Sequence, residues 1–138
     1  MAKGRKAILS TLKEIGIDTQ SITIDNGSGL SRIARISAQQ HASLLKRAWR
    51  DEFMPEFLSS LSLSGLDGTL VNRFRNNDMR GRSHMKTGSL NNVRAIAGYM
   101  LNRKGHWMLV VMHHNGPKAS TGHGAKIQDT LLKWAFEQ

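Results

Sequence analysis

Met85-Lys86-Thr87-Gly88-Ser89-Leu90-Asn91 is the stretch on which the fold turns, because two further β-prone runs stand directly downstream of it. Val93 to Leu101 is an apolar, β-prone run, and Asn102-Arg103-Lys104-Gly105 supplies turn residues. His106 to Met112 is a second such run, so the three segments read as consecutive antiparallel strands. The tripeptide Lys-Thr-Gly alone arises by accident in roughly 3% of chains this long at average residue usage. Its position at the head of a hairpin gives it weight that the letters lack.

Residue types suggest what such a strand does. A peptide laid along an exposed strand edge gains main-chain hydrogen bonds. Gly88 has no Cβ, so a ligand backbone can come close. Thr87 offers a hydroxyl and Lys86 a positive charge to a terminal carboxylate. The Ser89 N–H, just beyond the glycine, is suited to face an oxyanion. The plain alternative is an exposed strand with a solvated Lys and Thr.

The chain has 138 residues, which suits one domain with a real core. No apolar run is long enough to span a membrane, and no signal-peptide core stands near Met1. With no cysteine, disulfides and thiolate metal sites are excluded. Lys and Arg number 20 against 10 acids, a net charge of +10 that favours anionic partners.

Upstream, Lys3 to Ile15 has helical spacing with Ile8, Leu12 and Ile15 on one face. Ser21 to Ile24 alternates as a short strand, placing Ile22 and Ile24 in a small separate ribbon. The glycine-rich loop Asp25-Asn26-Gly27-Ser28-Gly29-Leu30-Ser31-Arg32 comes next. Ser37 and Gln40 form a capping box, and Pro55 opens a further short helix. Gly65-Leu66-Asp67-Gly68-Thr69-Leu70 is a turn whose Asp67 is expected to cap the helical piece after it. Arg75 to Ser83 is a polar surface loop. Ala125 to Phe136 closes the chain as a helix with Ile127, Leu131, Trp134 and Ala135 inward, and Trp49, Trp107, Trp134 and Phe136 are expected in cores. His113 and His114 point to opposite faces of a strand, so no metal site is expected, and no cofactor.

Three stretches carry a resemblance: residues 25–32, residues 65–70, and Gly81-Arg82-Ser83-His84-Met85-Lys86-Thr87-Gly88-Ser89-Leu90-Asn91, in that order. Together with Ala97-Gly98-Tyr99 and the final hairpin and helix, the chain resembles the C-terminal third of class C low-molecular-mass penicillin-binding proteins. These are the D-alanyl-D-alanine carboxypeptidase/endopeptidases of peptidoglycan, in the serine β-lactamase-like superfamily. Lys-Thr-Gly is the third signature of such serine enzymes. The resemblance implies acyl transfer by the Ser of an SxxK motif, with its Lys as base and an SxN motif on a second domain. It implies that Lys86, Thr87 and Gly88 bind the substrate carboxylate and that the Ser89 N–H is one oxyanion donor. Leu30, Arg32 and Asn91 are then expected to line the pocket for a diaminopimelate-type side chain.

The departures are as informative. Ser10-Thr11-Leu12-Lys13 and Ser43-Leu44-Leu45-Lys46 spell SxxK, but both lie on amphipathic helices whose leucines pack inward. Ser89-Leu90-Asn91 is the sole SxN string and falls inside the Lys-Thr-Gly segment. Nucleophile, base and second-domain residues are therefore expected outside this chain, leaving it inactive alone and dependent on the missing N-terminal part. The implied partners are peptidoglycan peptides and β-lactams, and the implied location of the parent enzyme is periplasmic or extracytoplasmic.

The expected fold is α/β of the α+β kind, a partial penicillin-binding, transpeptidase-like fold within a single domain over residues 1–138. An antiparallel sheet of Arg82–Leu90, Val93–Leu101 and His106–His113 carries helices packed on it. The last strand would lack a neighbour, which predicts a homodimer through that sheet edge. The competing reading is a basic module for nucleic acid or acidic wall polymer, built on Arg73, Arg75, Arg80, Arg82, Arg94, Arg103 and Lys104. No nucleic-acid motif accompanies that charge, so nucleic acid is not the expected partner.

Overall fold

The computed structural model describes residues 2–138, which divide into two compact units, one ending at Asp51 and one beginning at Glu52. In the first unit, α1 spans Ala2–Glu14 and α2 spans Ala38–Ala48. The Ser37 hydroxyl accepts from the Gln40 N–H and the Gln40 side chain accepts from the Ser37 N–H, which is the capping box expected. Gln40 itself is buried, its amide donating to the Asp18 carbonyl and the Ser21 hydroxyl. The expected ribbon at residues 21–24 is a single bridge, with Thr23 and Arg35 exchanging both main-chain bonds. On α1, Leu12 is half-buried while Ile8 is exposed, and Ile15 is half-buried in the turn just after the helix.

The second unit holds the three expected antiparallel strands and a short one that was not expected, in the order β1 (Ser62–Leu63), β2 (Ser83–Leu90), β3 (Val93–Leu101), β4 (Trp107–Asn115). Helix α3 (Met54–Ser59) begins with proline in its first turn, and α4 (Gly122–Phe136) closes the chain. Alternation puts Met85, Ile96 and Met100 on one face of the sheet. There they meet Leu70, Phe74, Met79, Leu132, Ala135 and Phe136, with Met108, Val110 and Met112 of β4 packed against them. Each fully buried side chain of this size contributes about 2 kcal/mol. On the other face Phe57 of α3 meets Tyr99 edge-on, and His84 Nδ1 lies 3.2 Å from the Leu58 carbonyl oxygen. Burial pushes the Tyr99 phenol up to about 12, so it remains neutral.

Helix α4 is turned relative to expectation. Gly124, Gln128, Leu132, Ala135 and Phe136 face inward, whereas Ile127, Leu131 and Trp134 are exposed, Trp134 by 62%. Both stripes have helical spacing, and the ends of the helix choose between them. A Cβ at residue 124 would lie 1.9 Å from the Ala119 carbonyl, so only the glycine can approach there. At the other end the Arg82 and Arg103 guanidinium groups sit over the Phe136 ring. Between them, Arg73 pairs with Asp129 and donates to Gln128 Oε1 at 3.4 Å, bringing a polar residue to the inner face. Trp49 and Trp107 are likewise more exposed than their spacing suggested, and only Phe136 of the four aromatics is core.

Candidate functional site

The site is built by the way β1 stops. Ser62 pairs with Met85 and Leu63 with His84, and no earlier residue continues the strand because Leu61 closes a turn onto Leu58. Ser64 anchors the junction: its N–H donates to the Ser83 carbonyl at 3.0 Å and its hydroxyl donates to the Met79 carbonyl at 2.6 Å. From Lys86 onward, β2 therefore has β3 on one side and no strand on the other among the described residues.

Register then determines which main-chain groups face that open edge. Leu101 N–H donates to the Arg82 carbonyl, while the Ser83 carbonyl accepts from Ser64 on the β1 side. The pairing of β2 with β3 runs without interruption from Ser83↔Met100 to Leu90↔Val93. Hydrogen-bonded and non-bonded pairs alternate in an antiparallel ladder, so Lys86, Gly88 and Leu90 bond β3. The N–H and C=O groups of Thr87 and Ser89 point outward. The Ser89 N–H thus has the direction an oxyanion donor at this edge requires.

Side chains complete the edge. Lys86 is exposed, and its ammonium donates to the outward Thr87 carbonyl at 2.8 Å. Gly88 is exposed, and a Cβ there would meet only the Ala95 methyl at an ordinary 3.7 Å. Internal packing therefore gives no reason for glycine at 88, unlike Gly98 on β3, whose added Cβ would fall 2.1 Å from the His84 carbonyl. Asn91 and Asn92 make the turn into β3, with Asn92 in the left-handed region (φ 61°) that asparagine tolerates. Ser120 and Gly116 brace that turn: the Asn92 N–H donates to the Ser120 hydroxyl, and the Gly116 N–H to the Asn92 carbonyl.

Asp67 does not cap the 3₁₀ turn Gly68–Leu70 that comes after it. Its carboxylate turns back and accepts from the Leu63 N–H at 2.6 Å, because that N–H faces away from β2 and has no strand beyond it. The tight turn carries a residue that sequence reasoning missed. Thr87 Oγ1 donates to Thr69 Oγ1 at 2.8 Å. The only advance signal was that Thr69 lies in one of the three resembling stretches.

In the first unit, the loop holding Leu30 and Arg32 is stitched by its own side chains. Asp25 accepts from the Ser31 hydroxyl, Asn26 Oδ1 from the Ser28 N–H and hydroxyl, and Ser28 Oγ from the Leu30 N–H. Arg5 of α1 holds the Asp25 carbonyl, and Gly27 and Gly29 take positive φ. This leaves Leu30 74% exposed, and the Arg32 carbonyl receives Arg35 Nη1 at 2.9 Å. The structure thus gathers Lys86, Thr87, Gly88 and Ser89 on one strand with Asn91 in its turn, and Leu30 with Arg32 on one loop. Ser10 donates to Glu14 and Ser43 to the Gln39 carbonyl, and a third string of SxxK spelling, Ser83-His84-Met85-Lys86, lies on β2, where alternation sends the buried Ser83 and the exposed Lys86 to opposite faces. His113 and His114 alternate across β4, and burial lowers the His113 pKa.

Comparison with known proteins agrees with the fold. The family model described as D-Ala-D-Ala carboxypeptidase 3 (S13) family matches residues 1–138. The chain is 30% identical over 121 residues to a D-alanyl-D-alanine carboxypeptidase of Actinomadura sp. (strain R39), covering 83% of this chain and 22% of the relative. It is 30% identical over 115 residues to the D-alanyl-D-alanine carboxypeptidase DacB of Haemophilus influenzae, covering 82% and 24%. The crystal structure of penicillin binding protein 4 from Haemophilus influenzae superposes with a TM-score of 0.87 at 25% identity, over 98% of this chain and 32% of that one. The same enzyme is also known in complex with a β-lactam. The chain therefore spans 22% and 24% of the length of these two curated relatives.

Proposed function

Because the chain belongs to the D-Ala-D-Ala carboxypeptidase 3 (S13) family, we propose that it forms the carboxylate-binding wall of a serine acyl-transfer enzyme acting on peptidoglycan stem peptides. One observation carries this reading. The open edge of β2 sets the outward main-chain groups of Thr87 and Ser89 beside an exposed Lys86 ammonium and a glycine that packing does not require. A peptide ending in D-Ala-D-Ala adds to that edge as a strand. Its terminal carboxylate takes charge-assisted bonds from Lys86 and the Thr87 hydroxyl. The Ser89 N–H serves as one of two donors to the tetrahedral intermediate's oxygen. Leu30 and Arg32, on the loop of the first unit, recognise the free end of a diaminopimelate-type side chain, and Asn91, in the turn that ends β2, is a substrate-binding residue. β-Lactams, which mimic the acyl-D-Ala-D-Ala unit, occupy the same edge.

In this reading the chain is the C-terminal portion of a transpeptidase-like domain that works outside the cytoplasm. It does not acylate by itself. Without a nucleophile only binding and oxyanion effects remain, far below turnover. The Ser10 and Ser43 hydroxyls are both taken up within their helices, which supports that view. The free edge of β4 pairs with a second copy of the chain. A basic binding module gains nothing from the comparisons, and Arg73, Arg82, Arg94 and Arg103 are already engaged by internal partners. Exposing the purified chain to a fluorescent penicillin is expected to leave it without a covalent label. Labelling that disappears in Ser10→Ala would identify the wrong serine as dismissed and overturn the reading.

A further inference from the structure

The contact between Thr87 and Thr69 assigns a task to a residue with no chemistry of its own. We propose that Thr69 is a positioning residue that turns the Thr87 hydroxyl into a directed donor for a ligand carboxylate. This rests on the carboxylate-binding reading of β2.

Alternation along β2 places the Thr87 side chain on the face of Met85, opposite the face of Lys86. The two groups offered to one carboxylate therefore straddle the strand, and Thr87 must aim its proton toward the edge between them. A hydroxyl has one proton and two acceptor directions, and the proton goes wherever the better acceptor lies. With no ligand bound, Thr87 donates to Thr69 at 2.8 Å. That arrangement points its only proton away from the edge. An ionised carboxylate at the edge is the stronger acceptor. The Thr87 proton then swings outward, and Thr69 donates its own proton to Thr87 Oγ1 across the same short distance. No proton changes owner. Two hydroxyls rotate in concert, and the inner donor strengthens the outer one by polarisation.

The exchange needs Thr69 to stay where it is, and its surroundings ensure that. Leu70 is 1% exposed and anchors the turn in the core, its carbonyl accepting from the Gly65 N–H at 3.0 Å. Gly68 has φ 51°, and a Cβ there would lie 2.3 Å from Ser62 Oγ, so the turn lies hard against β1. The Asp67 carboxylate ties the same turn to Leu63. Thr69 thus projects from a base fixed on three sides. Both hydroxyls are on β-branched residues, whose χ1 freedom is small.

The test titrates N-acetyl-D-alanyl-D-alanine and its methyl ester into the isotope-labelled chain, following the amide signals of residues 86–90. The unmodified chain is expected to prefer the free acid to the ester. Thr69→Val keeps the shape and removes the inner donor, and should weaken the acid by about five-fold while leaving the ester unchanged. Thr69→Ser should restore acid binding to within about two-fold, since the hydroxyl returns. The double variant Thr69→Val, Thr87→Val should bind the acid no worse than Thr87→Val alone, because Thr69 acts only through Thr87. Equal loss for acid and ester, additive losses in the double variant, or no loss in Thr69→Val would each overturn the proposal. A chain that never prefers acid to ester would instead overturn the carboxylate reading of β2 itself. An unchanged amide pattern along β3 separates these results from misfolding, and if the valine variant does not fold, Thr69→Ala, which also lacks the inner donor, should show the same loss for the acid alone.

Discussion

The sheet has two open borders, and they differ in kind. Along β2 the open part runs from Lys86 to Leu90 and carries a cation, two hydroxyls and a glycine. Along β4, which pairs only with β3 among the described residues, it runs all 9 residues from Trp107 to Asn115. That second border has no Lys, Arg, Asp or Glu, and its side chains are apolar from Trp107 to Met112. A strand edge always presents unpaired N–H and C=O groups. The neighbouring side chains decide whether such groups accept a small charged ligand or another strand. On the proposed function, charge, hydroxyls and a missing Cβ select a ligand at β2. Nothing at β4 discourages a strand.

The contrast is disrupted most severely through the strand that both borders hang on. Gly98→Ala should destabilise the second unit by about 3–5 kcal/mol, because the new Cβ meets main-chain atoms rather than a movable side chain. Thermal unfolding reads this directly, and an unchanged midpoint would mean that β2 and β3 are less closely joined than their register implies. The next test concerns β4 alone. The Asn102 N–H bonds the His106 carbonyl and the Gly116 N–H bonds the Asn92 carbonyl, so even-numbered residues of β4 face β3 and the N–H of Val111 faces outward. Val111→Pro removes an outward donor without cutting a ladder bond. It should convert a self-paired dimer to a monomer in sedimentation while the sheet persists. A monomeric unmodified chain at high concentration would erase this half of the contrast. The smallest effect bears on the β2 half. Gly88→Ala should raise stability by about 0.5 kcal/mol, since a strand glycine is costly and the methyl meets only Ala95. The same change should weaken binding of an acyl-D-Ala-D-Ala peptide by about ten-fold, or 1.4 kcal/mol. Unaltered binding would mean that no ligand backbone approaches there.

The two glycines also measure how far sequence reading reaches. Both stand in β-prone stretches and look alike as letters, yet packing requires a glycine at 98 and does not require one at 88. The helices tell the same story. The Ser37–Gln40 capping box could be read from the chain, because both partners lie within one turn. The inward face of α4 could not. Its choice between Ile127-Leu131-Trp134 and Gln128-Leu132-Ala135 depends on Ala119, Arg73 and Arg103, which are remote in sequence or carry no periodic signal.

The hairpin, the α+β class and the family signature around Lys86-Thr87-Gly88 were legible in the sequence alone. Each of these depends on alternation, turn residues or a short string, all of them local properties of the chain. Tertiary structure decided where β1 ends, which main-chain groups of β2 remain unpaired, that Asp67 turns back to Leu63, and that Thr69 stands beside Thr87. Those outcomes come from segments competing for the same neighbours in space. Such competition is settled only when the apolar faces have packed and every buried main-chain group has found its partner.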